Sequence, residues 1–68
     1  MTRADRLRHL VRQFRPGRPV IYRRCGMQLE GLALELKGAL LLVESSAPGH
    51  NRYWVELIQA DFEKGLKV

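Results

Sequence analysis

The sequence predicts a mostly β fold: an N-terminal α-helix followed by a five-stranded, strongly bent antiparallel barrel. Three observations carry that reading. Apolar residues recur at helical spacing only near the start, where Leu7, Leu10, Val11 and Phe14 fall at i, i+3, i+4 and i+7. From residue 19 onward the pattern is that of short strands separated by glycine-containing turns. Within the longest strand the apolar phase changes at Gly31, as a strand that must bend requires.

The helix is expected within residues 1–15. Thr2 and Asp5 stand where a capping pair would take up free backbone N–H groups, and the Arg15-Pro16-Gly17 stretch stops the helix. The barrel is expected over residues 19–68, the whole chain of 68 residues making one domain. Val20–Arg24 reads as a first strand, turning at Gly26 into a second, Met27–Lys37. There Met27 and Leu29 share one phase and Leu32, Leu34 and Leu36 the other, so a bulge or bend at Gly31 would return all five to one face. A turn at Lys37 and Gly38 leads to a third strand, Ala39–Glu44, whose run Leu40-Leu41-Leu42-Val43 reads as buried on both faces. After a polar loop come a fourth strand over 52–58, a turn over 59–64 and a brief fifth strand over 65–68.

So short a chain buries only about 60% of its unfolded surface. Cys25 is the only cysteine, which excludes an intrachain disulfide and fits a reducing compartment. His9, Cys25 and His50 lack the paired spacing of metal ligands, so no metal or other cofactor is expected. Self-association is then the expected means of stabilisation. No apolar run approaches the roughly 18 residues of a membrane span, and the first residues lack the apolar core of a secretion signal, so a soluble cytoplasmic protein without a membrane partner is expected.

The formal charge is +5, and six of the nine arginines lie in the first 18 residues, where Asp5 is the only acid. Such an imbalance points to a polyanion, nucleic acid first. Arg8, Arg12 and Arg15, spaced by four and three, form a basic ridge beside the apolar stripe of the helix. Enzymatic chemistry is not expected, because the seven acids are dispersed and no nucleophile, base and orienting group fall into a pattern.

One helix followed by short strands with a bent second strand is the order of SH3-like and Sm-like barrels. The segment 20–45 resembles the first Sm motif of the bacterial RNA chaperone Hfq: an Ile21-Tyr22 strand, a turn ending at Gly26, then Met27-Gln28-Leu29-Glu30-Gly31, then the apolar third strand. The resemblance implies a homo-oligomeric ring, hexameric in that family's pattern, that binds single-stranded RNA, adenine-rich RNA among its ligands. It places Tyr22, Gly26, Met27, Leu29 and Glu30 on the RNA face, with Tyr22 as the stacking platform, and the arginine ridge at the rim. Trp54 is a further candidate for stacking a base. Glu30 stands where the family carries glutamine, and Trp54-Val55-Glu56 replaces the family's Tyr-Lys-His, so the resemblance does not carry uridine binding at a pore to this chain. Plainer readings stand beside these: a solvated helix face for the arginines, subunit packing for Tyr22 and Trp54, and an SH3-like interaction or assembly module, such as a small subunit of a phage or other particle, that binds no RNA.

Overall fold

The computed structural model describes residues 2–62. Helix α1 spans Arg3–Gln13 and is followed by strands β1 (Arg18–Arg24), β2 (Met27–Lys37), β3 (Leu40–Ser45) and β4 (Arg52–Glu56), with one 3₁₀ turn at Leu57–Gln59. The four strands form an antiparallel meander in the order β1-β2-β3-β4. Among the described residues the sheet is open and has four strands rather than the expected five; the fifth, expected over 65–68, lies outside them. The fourth strand also ends earlier than expected, since Leu57 and Ile58 belong to the 3₁₀ turn.

Local chemistry explains the elements. The Thr2 hydroxyl accepts from the Asp5 N–H at 3.2 Å and donates to the Asp5 carboxylate at 2.8 Å, which caps α1. Phe14 leaves the helix with extended backbone ahead of Arg15-Pro16. Cys25 and Gly26 both have positive φ, 54° and 75°, and join the Arg24–Met27 pair in a two-residue hairpin turn of the kind that matches strand twist.

The inner face of the bent sheet, covered by α1, holds the core. Leu10, Val20, Tyr22, Ala33, Leu41, Val43, Val55, Leu57, Ala60 and Phe62 are buried there, with Leu7, Phe14, Leu29, Leu36 and Tyr53 packed at its margin. Phe62 plugs the end of this core, edge-on to Phe14 at 6.5 Å between ring centroids. Beyond the 3₁₀ turn the chain comes back to β1, where Ile21 and Asp61 exchange two backbone hydrogen bonds of 3.0 and 2.8 Å.

Two features of β2 and β3 differ from expectation. The register of β2 against β1 runs unbroken through Gly31, and the bulge lies three residues later, between Ala33 and Glu35. Leu29, Gly31 and Ala33 therefore face inward and Leu36 rejoins that face after the bulge, whereas Leu32 points out, 40% exposed. Gly31 serves a different purpose. A Cβ there would lie 2.3 Å from the Glu44 carbonyl oxygen and 3.2 Å from the Tyr22 ring, so only glycine lets β3 cross this close. The third strand is not buried on both faces either: Leu41 and Val43 enter the core, while Leu42 is half-buried and Leu40 is 44% exposed.

A Gly31→Ala variant must push backbone away from backbone. It is expected to lose about 1–3 kcal/mol of stability, the usual cost of overpacking, read as a lower urea midpoint with unchanged m-value.

Candidate nucleic-acid interface

The arginines divide into those that hold the fold and those that face outward. Arg6 donates from Nε to the Ile58 carbonyl and from an Nη to the Ala60 carbonyl, each at 3.3 Å, tying α1 to the 3₁₀ turn. Arg18 donates to the Gln13 carbonyl and lies 5.5 Å from the Phe62 ring centroid. Arg24 stacks over the Tyr53 ring at 3.9 Å and so bridges β1 to β4. Arg52 pairs with Glu44 at 3.5 Å. Arg15, expected in the basic ridge, instead turns back to cap the helix C-terminus, donating to the carbonyls of Arg12 at 3.0 Å and Phe14 at 2.6 Å.

That leaves the guanidinium groups of Arg3, Arg8, Arg12 and Arg23 without a hydrogen bond or ion pair to any described residue. Three of them are on α1. Arg8 and Arg12, one turn apart, are exposed on the side of α1 away from Leu10. Asp5, the one acid of the helix, already accepts from Thr2. The ridge is thus narrower than expected, and neither Arg8 nor Arg12 forms an ion pair with a described residue.

The remaining expected site residues do not gather in one place. Gly26 and Met27 form the tip of the β1–β2 hairpin, with Met27 exposed. Leu29 packs half-buried against the core. Glu30 is exposed on the outer sheet face, and its backbone carbonyl accepts from the Ser46 hydroxyl at 3.0 Å and N–H at 3.2 Å, pinning the β3–β4 loop. Trp54 is on the outer face of β4, 46% exposed. Tyr22 is the clear correction: paired with Leu29, it points inward with its ring against Gly31 and is completely buried, so neither ring face is open to a base in this chain. Its hydroxyl is buried without a hydrogen-bond partner among the described residues.

Sequence reasoning missed one concavity. A cavity of about 410 Å³ is lined by Arg6, Ile21, Arg23, Gln28, Gln59 and Asp61. Ile21 and Arg23 share a strand face and Gln28 is the cross-strand partner of Arg23, so that half was readable from strand alternation. Arg6, Gln59 and Asp61 arrive only through the packing of α1 and the return of the chain to β1. Among the described residues no group of His, Cys, Asp and Glu is placed to hold a metal ion, and no helix is long and apolar enough to cross a membrane.

No protein-family model, curated protein or solved structure matches the chain.

Removing the Tyr22 hydroxyl separates packing from stacking. Tyr22→Phe is expected to raise stability by about 1 kcal/mol, because a buried unpaired hydroxyl is lost without loss of shape, and to leave RNA affinity unchanged in a filter-binding titration.

Proposed function

We propose that the chain is a non-enzymatic RNA-binding protein of the Sm-like kind that grips single-stranded RNA through the outer face of α1. The carrying observation is that Arg8 and Arg12 sit exposed one turn apart on the outer face of α1, with Arg3 exposed at the helix start, and that none of the three forms an ion pair with a described residue. A flexible polyphosphate can meet such a row from many directions, and each phosphate neutralised releases counterions, so the affinity is electrostatic and tolerant of sequence. Exposed Met27 at the hairpin tip adds an apolar contact for a base, but the adenine-stacking role expected of Tyr22 is not part of the reading. The helix leading into a bent antiparallel meander, and the Ile21–Asp61 bridge that returns the chain to β1, support the finer reading as a barrel of Sm-like order. Assembly into a homo-oligomeric ring in the cytoplasm, and an RNA chaperone role that holds strands on a basic surface, belong to the same reading.

A second reading has its own support. Exposed Trp54 with Leu40 and Leu32 on one sheet face favours a protein-assembly module that binds no RNA. The two readings part on purification: an RNA-binding ring carries nucleic acid absorbance at low salt, and an assembly module does not.

The test of the first reading is a salt titration of RNA binding. For single strands, log K falls with log salt by about 0.7 per phosphate contact, so Arg8→Glu with Arg12→Glu is expected to weaken binding strongly and flatten the slope by about 1.4. The circular dichroism of the variant should match the unaltered protein. Affinity and slope that do not change would remove α1 from the interface.

A further inference from the structure

We propose that the outer face of β2, β3 and β4 is the docking surface for helix α1 of a second copy of this chain, so that copies associate head to tail. The strand register puts Leu42 opposite Trp54, Leu40 opposite Glu56 and Glu35 opposite Leu42, with Leu32 opposite Glu44 on the same side. Leu32, Leu40 and Trp54 are each at least 40% exposed, and half-buried Leu42 lies between them. This is a contiguous apolar strip that no helix or strand among the described residues covers.

Its rim is acidic. Glu35, Glu44 and Glu56 border the strip, against Lys37 and Arg52, and Arg52 is taken by Glu44. Glu35 and Glu56 have no hydrogen bond or ion pair to any described residue. The same chain carries the complementary shape. On the outer side of α1, Val11 is 46% exposed and Ala4 lies two turns before it, with Arg8 and Arg12 along one edge. An 11-residue helix is about 16 Å long and β2 and β4 lie about 10 Å apart, so α1 laid across β3 reaches from one to the other. Val11 and Ala4 would cover Trp54 and the leucines while Arg8 and Arg12, with α1 crossing β3, reach Glu35 on β2 and Glu56 on β4.

Because the two surfaces differ, the contact is heterologous: every copy that docks its helix leaves its own sheet face free for the next, and the series either closes into a ring or extends. Arg8 and Arg12 also belong to the proposed RNA surface. Each guanidinium has five donors, so a docked Arg8 or Arg12 holds a neighbour's carboxylate and still offers donors to a phosphate.

Charge exchange tests the contact. By light scattering at low salt, the unaltered chain is expected to gain mass with concentration and to lose it as salt rises. Arg8→Glu with Arg12→Glu, and separately Glu35→Lys with Glu56→Lys, should each stay monomeric while remaining folded by circular dichroism. An equal mixture of the two variants should assemble again, since each helix then finds a sheet face of opposite charge. A monomeric unaltered chain, variants that assemble like it, or a mixture that stays monomeric would each overturn the proposal. RNA binding is scored separately: the Glu35→Lys, Glu56→Lys variant keeps it under the proposed function, so loss of assembly with RNA affinity retained supports both readings. Assembly that follows this pattern in a chain without RNA affinity would leave the docking surface standing and reject the RNA reading alone.

Discussion

The close passage of β3 over Gly31 is the constraint on which the other features rest. With the Glu44 carbonyl oxygen 2.3 Å from where a Cβ would stand, β2 and β3 approach as two bare backbones, and the Tyr22 ring lies against the same glycine. That approach turns a four-stranded meander into a curved sheet with an inside. Leu41, Val43 and Val55 then meet Val20 and Tyr22 across a shared core, and α1 with Phe62 closes it. The bulge between Ala33 and Glu35 follows from the same curvature, since the strand past the bend needs one extra residue to bring Leu36 back to the core.

A basic composition does not translate directly into a basic surface. Guanidinium groups also serve as long, forked donors that reach carbonyls and rings, and four of the nine arginines are engaged in this way, with a fifth, Arg52, paired to Glu44. Arg6 and Arg18 hold α1 against the sheet, Arg15 closes the helix end, and Arg24 spans the gap between the outermost strands. Of the arginines left for a polyanion, Arg8 and Arg12 share the outer face of α1. That shared face gives the proposed RNA surface a direction.

Size sets the other side of the argument. A single short helix can cover only one face of a four-stranded sheet, and here it covers the inner one. The outer face keeps Trp54, Leu40 and Leu32 in water, bordered by Glu35 and Glu56, whose carboxylates pair with no described residue. An apolar strip with an acidic rim and a helix with an apolar edge and a basic ridge are complementary features carried by one chain, and their separation on the surface prevents them from meeting within it.

The helix and the strand order were legible in the sequence because both depend on local periodicity: Leu7, Leu10 and Phe14 recur every turn, and the hairpin at Cys25-Gly26 needs only two residues of suitable backbone. The need for glycine at position 31 was legible too, although its reason was not. Whether a missing Cβ accommodates a bulge or a crossing strand depends on what lies opposite, and residue 44 is distant in sequence. The candidate site was readable only in part for the same reason. Arg8 and Arg12 follow from helical spacing. The inward turn of Tyr22, the capping role of Arg15 and the cavity beside Ile21 depend on which face of each element the core claims. The sequence by itself determined the elements and the excess of cations; the tertiary structure alone decided which cations are spent on carbonyls and rings and which stay free, because those partners are brought together only when the sheet curves around its core.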